Sequence, residues 1–280
     1  MAEEKTKKAK KAKKKPKAPS KKAKPSRPDK VNLYGIDGKS HKKIDLPKVF
    51  HEDVRTDLIR RAVTASQANR RQPYGPNPDA GMSHAASTWG KGRGVARVQR
   101  MSQGRTAVES PGNVGGRRAH PPRPEKDWSK KINKKERQRA RNSALSATAE
   151  PELIIKRGHK FKKKITVPLI VENSLEEIET TRKALRALKK LGVMDDIERA
   201  KAGTHVRAGR GTMRGRRYKS PKSLLIIVND KEKTKRGFGN LKGVDIATPN
   251  QLNPELLAPG GMPGRLTVIS EGALKQLEAW

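Results

Sequence analysis

Closely spaced arginines and glycines form the two stretches of this sequence best suited to binding a ligand. Residues 88–99, TWGKGRGVARVQ, carry three glycines, three basic residues and one tryptophan, without the apolar periodicity of a helix or strand. Residues 207–222, RAGRGTMRGRRYKSPK, repeat the combination. Arginine binds phosphates through a planar fork and stacks on bases, and glycine lets a backbone approach another surface closely. Both stretches are therefore candidate contacts with phosphates.

The charge of the whole chain also predicts a polyanionic partner. Its 280 residues include 66 Lys+Arg against 28 Asp+Glu, a formal net charge of +38. Nucleic acid, an anionic membrane and acidic proteins could each meet this excess. The longest aliphatic run, residues 224–228, is too short to span a bilayer, and no apolar segment of a secretory signal follows the basic N-terminus, so no membrane role is expected. The absence of cysteine excludes disulfides and thiolate zinc sites.

The sequence offers little for catalysis. Residues 209–215, GRGTMRG, loosely match a dinucleotide-binding fingerprint, but no helix is predicted after them. No two histidines lie within one helical turn, so each is expected at the surface or near RNA rather than on a metal. They are His41, His51, His84, His120, His159 and His205. No acid–base pair is evident, and we expect no catalytic residues, no metal and no cofactor.

The composition divides the chain into a tail, a body and a long loop. Residues 1–30 form a Lys-rich tail, with 14 Lys+Arg against 3 Asp+Glu, which is expected to be disordered or extended. Residues 31–72 and 124–280 are expected to form a globular body. Between them, residues 73–123 contain nine Gly, six Pro and no Leu, Ile or Phe. We expect an extended loop that is mobile until a partner orders it, with a reach of roughly 80 Å if it folds back as a hairpin.

Apolar patterns predict the elements of the body. Strands are expected at residues 31–38, 165–172, 223–230, 243–249 and 265–270. Helices are expected at residues 51–71, 133–150, 174–191, 249–260 and 271–280. Ser174 and Glu177 have the spacing of a capping box at the start of the third helix, and Gly192 follows its end. This alternation indicates an α/β fold, with a mostly parallel sheet flanked by helices and interrupted by the long Gly/Arg-rich loop.

Folded RNA suits these features better than duplex DNA. It offers narrow channels and unpaired bases, and the chain has no helix-turn-helix or zinc-finger pattern. Tyr74, Trp89 and Trp128 provide stacking faces in or near the loop. The candidate RNA-binding residues are Arg70, Arg71, Trp89, Lys91, Arg93, Arg97, Arg100, Arg105, Arg117, Arg118, His120, Arg123, Arg207, Arg210, Arg214, Arg216, Arg217, Lys219 and Lys222.

A series of irregular sequence words resembles a known family. In order, they are LPKVF, VRTDLIRRAV, NRRQPYG, AGMSHAASTWGKGRGVARV, GGRRAHPP, ARNSALSATA, RGHKF, RAGRGTMRGRRYKSPKSLLIIV and GRLTV. From about Val31 to the C-terminus the chain closely resembles the universal large-ribosomal-subunit protein four family, in its archaeal and eukaryotic form. The tail falls outside this resemblance.

The resemblance implies a non-catalytic, cytoplasmic protein of the large ribosomal subunit. In the family, the α/β body lies on the outside of the subunit and the long loop penetrates large-subunit rRNA. The loop reaches the wall of the nascent-peptide exit tunnel, beside another ribosomal protein. By analogy, the loop tip is expected at residues 97–112, with residues 89–94 on one arm and 115–123 on the other. The implied partners are large-subunit rRNA, neighbouring large-subunit proteins and the nascent peptide.

Two other functions are compatible with parts of the sequence. A free RNA-binding protein or RNA chaperone would exchange rapidly among RNAs and depend steeply on salt. An α/β enzyme acting on RNA or a nucleotide would need a pocket with a nucleophile or an acid–base pair. A ribosomal protein would instead be stoichiometric with the large subunit and resist a salt wash, because buried contacts are screened less than exposed ones.

Overall fold

The computed structural model of the protein describes residues 28–162 and 165–280. The tail expected at residues 1–30 lies outside the described residues except for its last three, and the first strand already begins at Lys30.

Six strands form the main sheet, and two short ribbons stand apart from it. The strands are β1 (Lys30–Tyr34), β2 (Ser40–Asp45), β3 (Ala86–Thr88), β4 (Gln99–Met101), β5 (Leu169–Val171), β6 (His205–Val206), β7 (Tyr218–Lys219), β8 (Leu225–Ile227), β9 (Asp245–Ala247) and β10 (Thr267–Ser270). The order in the main sheet is β2-β1-β5-β10-β8-β9. Only β1 and β2 are antiparallel there. The ribbons pair β3 with β4 and β6 with β7.

Helices connect most of the parallel strands. The α-helices are α1 (Thr56–Asn69), α2 (Lys134–Ser146), α3 (Pro151–Lys156), α4 (Thr181–Lys190), α5 (Met194–Ala202), α6 (Lys231–Phe238), α7 (Pro254–Leu257) and α8 (Glu271–Leu277). Short 3₁₀ helices cover Lys48–His51, Ala147–Ala149, Asn173–Glu177, Pro249–Gln251 and Pro259–Gly261. The sequence patterns did not assign β2, α3, α5 or α6.

Both faces of the main sheet are covered, which explains the unbroken apolar run at residues 224–228. Leu225 and Ile227 of β8 pack on one side, in a cluster that includes side chains of α1, α2 and α8. Leu224, Ile226 and Val228 pack on the other side, with side chains of α4, α5 and α6. Successive strand residues point to opposite faces, so a strand buried on both has no polar position. The expected mostly parallel α/β sheet is confirmed.

The helix expected at residues 51–71 begins later than predicted. Side chains of α2 hold the backbone before α1 in an extended form. The Arg55 N–H donates to Ser143 Oγ at 2.6 Å, and that hydroxyl donates to the Asp53 carbonyl at 2.9 Å. Ser146 Oγ donates to the Glu52 carbonyl. Since these backbone groups bond across to α2, the first turns of the expected helix do not form.

The single helix expected at residues 174–191 is also wrong, together with its capping box. Residues 173–177 form a 3₁₀ helix, Ile178 is extended (φ −78°, ψ 103°), and α4 starts only at Thr181. The Glu176 carboxylate accepts from the backbone N–H groups of Asn229 at 2.8 Å and Asp230 at 3.2 Å. These bonds tie the segment to the end of β8. Gly192 does follow the helix in the left-handed region, at φ +73°.

Candidate nucleic-acid interface

The long loop, residues 73–123, contains short-range order of its own. In it β3 pairs with β4, and Arg100 bridges to Ala107. Val108 is 7% exposed, and its N–H donates to the Gln99 carbonyl at 2.9 Å. The central part of the loop therefore has backbone pairing of its own, while its mobility without a partner stays a prediction. Hydrogen bonding between neighbouring backbone segments replaces the apolar burial that its composition cannot supply.

The turn between β3 and β4 presents an aromatic ring between arginines. The Arg93 and Arg100 guanidinium groups lie 5.4 and 5.3 Å from the centre of the Trp89 ring. Gly90, Gly92 and Gly94 all have positive φ values, which glycine adopts without steric cost. Residues 89–94 thus lie in the connection between β3 and β4, whereas the sequence analogy expected them on an arm of the loop. Residues 102–106 form a second turn, which the Arg100–Ala107 bridge closes.

The outgoing and returning parts of the long loop lie side by side nearer the body. A Cβ on Gly81 would come within 2.7 Å of the Arg117 backbone nitrogen, and Gly81 has φ +85°. A groove of about 650 Å³ runs between the two parts, and Arg117, Arg118 and Arg123 line its returning side. Backbone packed this closely is a place where only glycine fits.

The loop leaves and rejoins the body at a stack of rings and cations. Tyr74 and Trp128 stack with their ring centres 5.7 Å apart and their planes 17° from parallel. The Arg71 guanidinium lies 4.1 Å from the centre of the Trp128 ring, and Lys126 Nζ lies 4.6 Å from it. The Lys130 N–H donates to Asn69 Oδ1 at the end of α1, at 2.8 Å. Cation–π contacts and this hydrogen bond hold the two loop ends together.

The second basic stretch forms a loop that projects from β6 and β7. Glycines lie among its arginines, and Gly209 and Gly215 have positive φ values. The Arg217 guanidinium lies 5.8 Å from the centre of the exposed Tyr218 ring. Arg207 Nε is buried without a hydrogen-bond partner. The loop therefore offers stacking and hydrogen-bonding groups that the protein itself leaves mostly unused.

The candidate RNA-binding residues fall into two surface groups. All are exposed except Trp89, Arg100 and Arg207, which are half-buried. The first group, in the long loop and at its base, contains Arg70, Arg71, Trp89, Lys91, Arg93, Arg97, Arg100, Arg105, Arg117, Arg118, His120 and Arg123. The second contains Arg207, Arg210, Arg214, Arg216, Arg217, Lys219 and Lys222. Within the described chain, no recorded hydrogen bond, ion pair or ring contact joins the groups.

Two of these cations already have carboxylate partners. Arg70 Nη2 lies 2.7 Å from Glu255 Oε1, and Lys222 Nζ lies 2.8 and 2.9 Å from the Asp245 oxygens. Both carboxylates come from distant parts of the sequence, so no local pattern reveals the pairing. An RNA phosphate at either site would meet a cation that is partly neutralised.

A buried ionic cluster lies in the body, and the sequence patterns missed it. Asp196 is fully buried, and its carboxylate accepts four hydrogen bonds. The donors are His159 Nδ1 (3.0 Å), the Lys160 N–H (3.0 Å), Arg199 Nε (2.9 Å) and Ser223 Oγ (2.7 Å). Burial alone would raise the pKa of Asp196, but the hydrogen bonds from His159, Arg199 and Ser223 hold it well below its usual value.

This cluster corrects the expectation that every histidine lies at the surface, since His159 is only 5% exposed. The arrangement is not that of a nucleophile and its base. Ser223 donates to Asp196 rather than to His159, and His159 turns Nδ1 towards the same carboxylate. A serine nucleophile needs the hydrogen bond to a general base, which the Ser223 hydroxyl gives to the carboxylate instead.

Arg265 is a second buried cation that the sequence patterns missed. Its side chain is fully buried, and its guanidinium donates to the carbonyls of Ser223, Leu256, Leu224 and Gly243 at 2.8 to 3.3 Å. Its Nη2 also lies 2.7 Å from Asp245 Oδ2. Burial lowers the pKa of Arg265, and the Asp245 carboxylate opposes that shift. Arg265 thus crosslinks β8, the turn before β9 and α7.

The described part of the chain holds no metal-binding constellation. Over residues 28–162 and 165–280, no three His, Cys, Asp or Glu side chains are grouped so that they could hold a metal ion. In the same ranges, no helix combines the length and the apolar character needed to cross a membrane.

Comparisons with known proteins give a consistent picture. The model of the ribosomal protein L4/L1 family matches residues 44–280. The chain is 47% identical over 251 residues to large ribosomal subunit protein uL4 of Archaeoglobus fulgidus, which covers 90% of this chain and 99% of that protein. It is 48% identical over 249 residues to large ribosomal subunit protein uL4 of Methanocaldococcus jannaschii, covering 89% of this chain and 98% of that protein.

Proposed function

The chain belongs to the ribosomal protein L4/L1 family, and on this basis we propose that it is a structural constituent of the large ribosomal subunit. The resemblance noted in the sequence is thereby confirmed. So is the expectation of a non-catalytic protein, since the matched proteins are ribosomal proteins. The protein acts in the cytoplasm, as part of the large subunit, and binds large-subunit rRNA and neighbouring ribosomal proteins.

Binding to rRNA rests on one observation above all. Two loops present exposed arginines among glycines, in a chain of net charge +38. Each arginine that reaches a phosphate displaces counterions, so binding gains free energy from counterion release. Rings flanked by guanidinium groups, such as the half-buried Trp89, add stacking faces for unpaired bases. Binding of this kind scaffolds folded rRNA and supports its assembly without chemical turnover.

The long loop, residues 73–123, penetrates the rRNA and lines the nascent-peptide exit tunnel in this proposal. The pairing of β3 with β4 supports a far end that includes residues 89–98, which the sequence analogy had divided between an arm and the tip. The outgoing and returning parts of the loop pack side by side at Gly81 and Arg117. This packing supports a loop narrow enough to pass between RNA helices. The nascent peptide then passes the far end of the loop.

A salt-washed sucrose gradient tests the proposed function. Native lysate is washed in high salt, and this chain is quantified in each fraction against an established large-subunit protein. We expect one copy per large subunit after the wash, because contacts buried in rRNA are screened less than exposed ones. Recovery of the chain at the top of the gradient would instead favour a free RNA-binding protein.

A further inference from the structure

A small basic pocket opens on the body where α3 ends and β8 begins, and no residue of the long loop lines it. It has a volume of about 370 Å³, and Lys156, Arg157, His159, Arg199 and Lys222 line it. Only Lys222 among them is a candidate RNA-binding residue from the sequence. We infer that this pocket binds a phosphate group, which four converging cationic side chains recognise.

Arg157 provides the first argument, because it is a half-buried cation without a carboxylate partner among the described residues. Its Nη2 donates to the Pro259 carbonyl at 2.8 Å, and its Nη1 donates to the Met262 carbonyl. Burial, with the nearby charges of Arg265 and Arg199, lowers the pKa of Arg157 to about 10. The guanidinium stays charged at neutral pH, in a field that an added anion would relieve.

Arg199 provides the second argument, because the buried cluster fixes its guanidinium beside the pocket. Nε donates to Asp196 at 2.9 Å, and Nη2 donates to the Lys222 carbonyl at 2.8 Å. Asp196 is fully buried and its four hydrogen bonds are already made, so it cannot turn to meet another cation. A guanidinium held in place on its carboxylate is preorganised for an anion, since little side-chain entropy remains to be lost.

The local charge balance provides the third argument. Four cations line the pocket, namely Lys156, Arg157, Arg199 and Lys222, and the carboxylates paired with them are those of Asp196 and Asp245. Two positive charges remain in excess in the lining of the pocket. A phosphate carries negative charge on several oxygens and can accept from more than one guanidinium at a time.

The phosphate can come from the RNA backbone or from free inorganic phosphate. The RNA source rests on the proposed function, because it requires that the body lies against rRNA. In that case the pocket fixes the orientation of the body, while the two loops reach into the RNA. A backbone phosphate positions a protein on RNA without reading its sequence.

The test compares four forms of the full-length protein, three variants and the wild type. Lys156→Gln removes a charge from the pocket. No hydrogen bond or ion pair of the Lys156 side chain is recorded, so the fold should not depend on it. Arg157→Gln removes the guanidinium itself, and circular dichroism checks that the variant folds. Arg182→Gln on α4 is the matched control, since Arg182 is exposed and has no recorded ion pair. Wild type completes the set.

Two measurements separate the sources of the phosphate. In the first, affinity for large-subunit rRNA is measured over a range of KCl concentrations. Loss of one phosphate contact makes the negative slope of log K against log salt shallower by about 0.7 to 0.9. In the second, the Tm of each protein is measured in sodium phosphate and in sodium chloride at equal ionic strength. A phosphate-specific gain in Tm that Lys156→Gln loses and Arg182→Gln keeps reports binding of the free anion.

We expect the dependence of rRNA affinity on salt to be shallower for both pocket variants and unchanged for Arg182→Gln. This result would identify a phosphate of the RNA backbone as the ligand of the pocket. A phosphate-specific Tm gain with unchanged slopes also supports the pocket, but with free phosphate as its ligand. If neither measurement distinguishes the pocket variants from Arg182→Gln, the inference is overturned. If the wild type fails to bind large-subunit rRNA, the proposed function fails instead, and the Tm measurement still decides on the pocket.

Discussion

At the scale of single residues, Asp196 joins three segments that are far apart in the sequence. Its carboxylate accepts hydrogen bonds from His159, Arg199 and Ser223. His159 comes before α5 in the chain, Arg199 lies on α5, and Ser223 comes just before β8. Because the ionised carboxylate receives four hydrogen bonds in the folded state, folding favours ionisation, and the pKa of Asp196 lies below its usual value.

The stability of the protein should therefore depend on Asp196 in acid. The carboxylate contributes fully above the ordinary Asp pKa of about 3.9, and its contribution is lost as the pH falls below that value towards the pKa in the folded protein. We expect Asp196→Asn to unfold more easily than wild type at pH 7 by about 3 kcal/mol. Urea unfolding of both proteins from pH 7 to pH 2.5 should show this difference narrowing in acid.

Asp195→Asn is the matched control for this pH dependence. Asp195 precedes Asp196 on α5 but is exposed, without a recorded ion pair. It should follow the wild-type curve throughout. A constant difference between wild type and Asp196→Asn down to pH 2.5 would contradict the argument.

Arg265 predicts a large effect of a different kind. Replacing it with Leu removes its hydrogen bonds to four carbonyls and its ion pair with the Asp245 carboxylate. We expect Arg265→Leu to lower the free energy of unfolding by about 3 to 5 kcal/mol. Arg236→Leu is the comparison, since the Arg236–Glu179 pair is exposed and 3.8 Å long, and such pairs contribute about 0 to 1 kcal/mol. Similar urea midpoints for the two variants would show that Arg265 is not the crosslink described.

At the scale of elements, the long loop depends on the close packing of its two sides at Gly81. A Cβ there would press on the Arg117 backbone, and alanine is disfavoured at φ +85° by roughly 1–2 kcal/mol. We expect Gly81→Ala to separate the two sides of the loop and to enter large subunits several-fold less than wild type. The measurement is the share of each tagged variant in salt-washed large subunits from cells that also express wild type.

Gly112→Ala is the matched control in the same loop. Gly112 has no positive φ, and nothing lies within 4 Å of the position that its Cβ would occupy. It should enter subunits as wild type does. Equal incorporation of both variants would mean that the packing at Gly81 is not needed for assembly.

The parallel strands of the main sheet could be predicted from the sequence, but the antiparallel β2 and the helix boundaries could not. Strands buried on both faces read as apolar runs, and residues 224–228 are the clearest example. The late start of α1 depends on Ser143 and Ser146, about 90 residues further along the chain. Such tertiary hydrogen bonds override a local helical pattern without leaving a trace in it.

The candidate interface divides in the same way. Exposed arginines among glycines are visible in the sequence because nothing nearby neutralises or buries them. The partners of Arg70 and Lys222 are not visible, since Glu255 and Asp245 lie 185 and 23 residues away. The pairing of β3 with β4 was also missed, because three-residue strands of mixed polarity show no periodicity.

At the scale of the whole molecule, the charges proposed to bind RNA are separated from the core that provides stability. Arg93, Arg97, Arg117 and Arg118 are exposed on the long loop, and none has a recorded ion pair within the described residues. The core clusters lie on the two faces of the main sheet and contain no residue of this loop. Assembly and body stability should therefore respond independently to a change in loop charge.

Reversal of these four charges to Glu should impair large-subunit assembly and leave the thermal unfolding of the body nearly unchanged. The four replacements change the charge by eight units at side chains that, in the proposed function, contact rRNA phosphates, and such contacts bind electrostatically. The control reverses Arg182, Lys183, Arg186 and Lys233, which are exposed on α4 and α6 and produce the same net charge. Assembly is followed on sucrose gradients and stability by calorimetry. An equal loss of body stability in the loop variant would count against the separation of the two roles.

The closed base of the long loop has a consequence for how such proteins vary among lineages. Asn69 and Lys130 are hydrogen-bonded at 2.8 Å, and Arg71 lies on Trp128, so the chain enters and leaves the loop at one place. The free energy of closing a loop rises only with the logarithm of its length, by about 0.6 kcal/mol for each doubling. Insertions and deletions beyond this base can thus change the length of the loop at a small cost in free energy, while the fold that anchors it stays the same.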